Sequence, residues 1–406
     1  MKVVEKKYLL PFVLVTSLFV LWGLANNMTD TLLAAFRKIM QMSDTQTSFI
    51  QMAFYGAYFC LALPAALFIR KHSYKSGVIL GLSLYSAGAI LFLPAAGVAS
   101  YAFYLVAIYI MAAGCSVLET TANPYIMSMG SPETATRRLN IAQSFNPIGS
   151  IVGILISKYF ILRDISLYSV SGTYAMVGVL LVVVMVVMLF ARMPGGKDIE
   201  GQDTVKASFH RLIKNRRYTM GLVAQFFYVG AQICVWSFTI RLVMGELCVD
   251  ESHAATIYLM SIVGFCMSRF VYTWLMKYIS PQFLLAAGAV LSAGCVVMVV
   301  FTHGWVAVVS LLLVSVFMSL MFPTIYGLAL GDVENPDKGG RNGDAKIGAS
   351  GLIMAILGGA LLTPVQGLVS DHTNINISYL VPMFCFLVVL IFAVSTLRDA
   401  LKHSNS

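Results

Sequence analysis

The chain has 406 residues, 59% of them hydrophobic and 11% charged, with a net charge of +9 and a mean hydropathy of +0.82. Soluble domains carry about 25% charged residues, so this chain lacks the polar material to coat a globule of its size, and its solvent is lipid. The basic residues lie in short connections between apolar runs rather than on one extended surface, which argues against a nucleic-acid partner.

A helix needs about 20 apolar residues to cross the hydrocarbon of a bilayer. The first such run is Leu9–Asp30. It follows Lys2, Lys6 and Lys7 as a signal peptide would, but its apolar part is too long and no small-residue cleavage site follows it. It reads as a first spanning helix. Five more runs follow at Phe49–Ile69, Ser76–Ala96, Tyr101–Met129, Leu139–Ile161 and Thr173–Ala191. After a polar stretch they resume at Tyr218–Met244, Ala254–Met276, Phe283–Thr302, Trp305–Leu330, Ile347–Val369 and Ile377–Leu397. This pattern predicts an all-α integral membrane protein of twelve spans. Residues 1–192 form one six-helix half, 193–217 a linker with Pro194-Gly195-Gly196 as a hinge, and 218–406 the second half. Two such halves around a midplane cavity are a recurrent transporter plan.

An even number of spans puts both termini on one side. Only Arg37, Lys38, Lys158, Arg163 and Arg241 fall on the opposite side, and Arg269 lies inside a span, out of 27 Lys and Arg. By the positive-inside rule both termini are cytoplasmic. The seven cysteines, Cys60, Cys115, Cys234, Cys248, Cys266, Cys295 and Cys385, are odd in number and contain no Cys-x-x-Cys pair. Neither a disulfide framework nor a zinc site is expected. The six histidines stand in or near connections without ligand spacing, so neither a metal centre nor an enzyme is expected. No filter-like repeat suggests a channel.

Two carboxylates stand within or beside apolar spans: Asp30 and Glu119. A charged carboxylate at the bilayer centre costs roughly 2.5–3.5 kcal/mol on insertion scales, and burial favours its neutral form. A group that is neutral when occluded and charged when wetted meets the requirement for carrying a proton. Two plainer readings stand beside this one: Asp30 marks the outer end of helix 1, and Glu119 is bonded to a neighbouring helix. Asn26, Asn27 and Thr29 precede Asp30, and Thr120, Thr121 and Asn123 follow Glu119. Asn140, Gln143 and Asn146 recur every third residue and are expected on one face of helix 5. Such a row suits either a neighbouring helix or sugar hydroxyls. On helix 7, Gln225 precedes Gln232 and Trp236, and the last two are four apart on one face. An indole beside an amide suits a pyranose, whose apolar face stacks while its hydroxyls bond, although Trp is also ordinary at membrane interfaces. Arg269 calls for an ion pair or a helix end to hold it, because an isolated buried cation is costly.

The strings Leu21–Asp30 (LWGLANNMTD), Leu118–Tyr125 (LETTANPY), Arg138–Gly149 (RLNIAQSFNPIG) and Gln225–Arg241 (QFFYVGAQICVWSFTIR) resemble the fucose–galactose–glucose:proton symporter family of the major facilitator superfamily. Shorter likenesses recur at Phe322–Ile325 (FPTI) and Thr363–Asp371 (TPVQGLVSD). The resemblance implies sugar uptake coupled to a proton by alternating access, in a bacterial inner membrane, by a monomer embedded in the bilayer. No cofactor is implied beyond the coupling ion. It implies proton coupling at Asp30 and Glu119, and sugar contacts at Gln143 and Asn146. Asn26, Asn27 and Asn123 join them as sugar contacts from the clusters around the acids, and Gln232 and Trp236 from helix 7. Glucose and galactose members carry an acid where this chain has Gln232, so the expected substrate is L-fucose or a related 6-deoxyhexose or hexose. Phe322 stands where the family leads one to expect a tyrosine, and the helix 5–6 connection is short. Another sugar class is the alternative, and an exporter the more distant one.

Overall fold

In a computed structural model the chain is helical along nearly its whole course, with no strand among the described residues. The structure describes residues 3–41, 44–161, 166–193, 204–331, 333 and 343–404. The helices in chain order are α1 (Leu9–Ile39), α2 (Asp44–Lys71), α3 (Tyr74–Ile90), α4 (Phe92–Val98), α5 (Tyr101–Ser128), α6 (Ala135–Gln143), α7 (Asn146–Ile156) and α8 (Leu167–Phe190). A short helix α9 (Val205–Lys214) leads into α10 (Arg216–Leu247), α11 (Glu251–Leu275), α12 (Pro281–Phe301), α13 (Gly304–Met318) and α14 (Met321–Leu330). The chain ends with α15 (Asp344–Met354), α16 (Leu357–His372), α17 (Ile375–Ser378) and α18 (Leu380–Ser404). Among the described residues, twelve helical segments are long and apolar enough to cross a bilayer. Five of them are broken or stepped: α3 with α4, α6 with α7, α13 with α14, α15 with α16, and α17 with α18.

Contacts divide the chain into two compact units. The first comprises Met1–Pro132, Phe145–Ser208 and Asn342–Met354. In it α5 packs along α2 and α3, α1 along α7, and α8 along α3, while α15 lies against α2 and α5. The second comprises Glu133–Ser144, Phe209–Arg341 and Ala355–Ser406. There α10 packs against α16 and α18, α12 against α13 and α18, α11 against α13, and α6 against α14.

Lipid tails are as apolar as leucine, so helices in a membrane associate through close backbone approach and hydrogen bonds rather than a hydrophobic drive. The α1–α7 crossing is built this way. A Cβ at Gly23 would stand 1.9 Å from the Asn146 carbonyl oxygen, and one at Gly149 would stand 1.8 Å from that of Val20. Only glycine lets these backbones meet. In the second unit Gly358 of α16 does the same against Phe226 of α10, at 2.0 Å. The fully buried aromatics Tyr85, Tyr104, Tyr125 and Phe36 fill the first unit, and Tyr228, Tyr326, Tyr379 and Phe386 fill the second.

Candidate functional site

The α1–α7 crossing brings an amide of the second half of helix 5 onto helix 1. Asn146, half-buried, donates through Nδ2 to the Phe19 carbonyl at 3.2 Å. Asn27, also half-buried, donates to the Gly23 carbonyl at 3.2 Å. Helix 1 is held in place by its neighbours: the Trp22 indole N–H donates to the Cys115 carbonyl at 3.0 Å, and the Tyr85 hydroxyl to that of Leu21 at 3.0 Å. The α1 backbone continues helical through Asp30 to Ile39, so Asp30 lies within the helix rather than at its end. The side chains of Asn26 and Asp30 lie outside the described residues.

Glu119 is on α5. From Met111 to Ile126 every residue of that helix is buried except Glu119, which is partly open. The exposed stripe of the same helix runs through Ala102, Val106 and Tyr109. At 3.6 residues per turn, Glu119 lies roughly 100° around the axis from that stripe. The carboxyl therefore opens in a direction of its own, separate from the outward-facing side of its helix. The Tyr58 hydroxyl of α2 lies within reach of both the Glu119 carboxyl and the Cys115 thiol. The Ser116 hydroxyl donates to the Tyr58 carbonyl at 3.2 Å and fixes α2 at this level. Asn123, one turn further along α5, is fully buried.

The amides expected along helix 5 stand on either side of an interruption in that helix. The helix ends at Gln143 and restarts at Asn146, with Ser144 and Phe145 between them still at right-handed helical backbone angles. The cause is Pro147. It has no N–H to give the Gln143 carbonyl four residues back, and the helix breaks before it. Asn140 donates to the Thr136 carbonyl at 2.9 Å and to the Thr324 hydroxyl of α14 at 3.2 Å, so it ties helices together. Gln143 is buried as the last residue of α6, and the Nη1 of Arg269 donates to its carbonyl at 2.7 Å.

Gln232 and Trp236 share a face of α10, and both are half-buried. The Trp236 N–H donates to the Ser315 hydroxyl of α13 at 3.3 Å, and Ser315 also accepts from Ser261 of α11 at 2.6 Å. Phe265 meets the indole edge-on with ring centres 5.0 Å apart. The indole is thus held at its N–H and against the Phe265 ring while remaining half-buried. Phe322 is buried, its ring 6.4 Å from those of Tyr228 and Tyr326. Tyr58, Ser261, Phe265 and Ser315 carry no signal in the sequence, because single hydroxyls and rings are ordinary within apolar runs. Among the described residues no group of three or more His, Cys, Asp and Glu is placed to hold a metal ion.

The comparisons with known proteins agree with one another. A family model described as Major Facilitator Superfamily matches residues 14–342. An L-fucose-proton symporter of Haemophilus influenzae is 39% identical, over 96% of this chain and 97% of its own length. An L-fucose-proton symporter of Escherichia coli is 35% identical, over 96% of this chain and 93% of its own. Among solved structures, a transporter of the same superfamily, FucP, in the outward conformation superposes with a TM-score of 0.87 at 35% identity, over 96% of this chain and 99% of that one.

Proposed function

Because the chain belongs to the Major Facilitator Superfamily, we propose that it carries L-fucose or a closely related sugar inward together with a proton, by alternating access. It is a multi-pass membrane transporter and not an enzyme. The single observation that carries the proton reading is Glu119, the one opening in an otherwise buried stretch of a membrane-spanning helix. A carboxyl so placed is neutral when its surroundings close and charged when water reaches it. Protonation removes the cost of occluding it, and deprotonation on the other side prevents the loaded form from returning. Asp30 is its partner in this cycle.

The residues assigned to sugar contact are Asn26, Asn27, Asn123, Gln143, Asn146, Gln232 and Trp236. A tethered, half-buried indole can stack on a pyranose, and the amides both donate to and accept from its hydroxyls. The 1–192 and 218–406 halves, joined by 193–217, are the parts that move. The distribution of Lys and Arg supports cytoplasmic termini, and the bacterial relatives support the inner membrane. The transporter works as a monomer, with the proton as its only coupling ion.

Uptake into proteoliposomes tests this reading. An inward proton gradient drives accumulation of L-fucose, and sugar added without a gradient alkalinises the medium. Absence of sugar-dependent alkalinisation with every hexose and deoxyhexose tried would dismiss symport.

A further inference from the structure

Arg269 of α11 is 4% exposed, and among the described residues it meets backbone oxygens and the Tyr228 hydroxyl rather than a carboxylate: Nε donates to the Ser319 carbonyl at 2.7 Å and Nη1 to the Gln143 carbonyl at 2.7 Å. These two oxygens have one property in common. In a continuous helix the Gln143 carbonyl is bonded by the N–H of residue 147, and the Ser319 carbonyl by that of residue 323. Both of those residues are prolines, Pro147 and Pro323, which have no N–H. One guanidinium thus takes up the two oxygens that two prolines leave without helical donors, at the breaks between α6 and α7 and between α13 and α14.

The same face of α11 reinforces both grips. Ser268 donates to the Ser319 hydroxyl at 2.8 Å, and the hydroxyls of Thr273 and Ser144 meet at 3.2 Å. From α10, the Tyr228 hydroxyl donates to the neighbouring Met318 carbonyl at 3.2 Å. The guanidinium plane also lies over the Phe265 ring, 4.8 Å from its centre, and that ring is the edge-on support of Trp236.

We propose that Arg269 is a positioning residue for the sugar site, holding the Gln143 end of α6 directly and the Trp236 indole through Phe265. This rests on the reading that Gln143 and Trp236 contact the sugar. The chemistry calls for arginine. A planar fork places two N–H groups on separate oxygens while its face rests on a ring, whereas a lysine ammonium offers its donors from a single point. Glutamate or aspartate beside the cation would neutralise it but would not close the two breaks.

The test uses the full chain with Arg269→Lys. Sugar binding is read from the change in tryptophan emission on adding L-fucose, and the break from hydrogen exchange of backbone amides across residues 143–149 and 319–324. The expected result is faster exchange confined to those stretches and an apparent Kd raised about ten- to a hundredfold, the range of one lost charged hydrogen bond. The pH profile of driven uptake keeps its shape. Unchanged exchange and unchanged Kd would overturn the proposal. So would a shifted pH profile at unchanged Kd, which would assign Arg269 to proton coupling instead. Faster exchange in R269K, with no emission change by any sugar in the parent, upholds the pin and counts against the sugar reading alone. Should R269K fail to fold, adding P147A and P323A returns an N–H to each oxygen. Recovery of folded protein supports the assignment, and its absence defeats it.

Discussion

The indole N–H of Trp236 donates to the hydroxyl of Ser315, which at the same time accepts from Ser261 at 2.6 Å. The ring is therefore held by its polar edge. Ser315→Ala removes the acceptor and lets the ring pivot. A net hydrogen bond of this kind contributes about 0.5–1.5 kcal/mol, so L-fucose affinity should fall about two- to tenfold. Trp236→Phe should cost more, because it loses both the tether and ring area. Titration of purified protein by calorimetry checks both, and equal affinity in S315A and the parent would remove the tether from the account.

Glu119→Gln keeps the shape of the side chain and removes its proton. The variant should exchange labelled for unlabelled sugar but fail to accumulate it, so the inside concentration rises only to the outside value. In the parent, driven uptake falls as external pH rises, because Glu119 then stays ionised and carries no proton inward. In the variant, exchange should be flat across the same range. Counterflow in proteoliposomes measures both. Accumulation by E119Q against a gradient would take Glu119 out of the coupling step.

The twelve spans and their approximate limits were legible in hydropathy, because twenty apolar residues leave the bilayer no other use for them. Asn140, Gln143 and Asn146 mark where that legibility stops. The sequence names Pro147 beside them without saying what takes up the Gln143 carbonyl that it leaves without a helical donor. The outcome depends on Arg269, which lies 126 residues from Gln143 and supplies the missing donor. Arg269 itself was legible as a buried cation needing either an acid or a helix end, and it has helix ends. Nor could Tyr58 be foretold beside Glu119, because a tyrosine in an apolar run has many equally good places to go. Sequence periodicity reports which side of one helix is apolar, and partners on another helix lie beyond its reach.

Gly149 and Gly172 give a paired test of how the first unit is assembled. A Cβ at Gly149 would meet the Val20 carbonyl oxygen at 1.8 Å, whereas one at Gly172 of α8 has nothing within 4 Å. Gly149→Ala must push α7 off α1, and with it the Asn146–Phe19 bond. Overpacking of this order costs about 1–3 kcal/mol, so the thermal midpoint in detergent should drop and transport should be lost. Gly172→Ala should be neutral or stabilising by up to about 1 kcal/mol, since alanine favours the helix. Equal midpoints for the two variants would contradict the close crossing.

Gln225 supplies the last test. It is fully buried on α10, and neither amide atom is hydrogen-bonded among the described residues. It lies two turns before Gln232 and on nearly the same face. A buried amide left unpaired costs about 1–3 kcal/mol, and methionine has its length and volume without the polar atoms. Gln225→Met should therefore raise the thermal midpoint. Residues that cost stability are retained where function uses them. In an alternating cycle that use is a second arrangement of the face, in which the amide finds partners. Transport by Q225M should accordingly fall severalfold even as the protein grows more stable. Calorimetric unfolding and sugar uptake on one preparation read both sides. A variant both more stable and fully active would leave Gln225 without a part in the cycle, and a variant of lower stability would mean the amide is already paired.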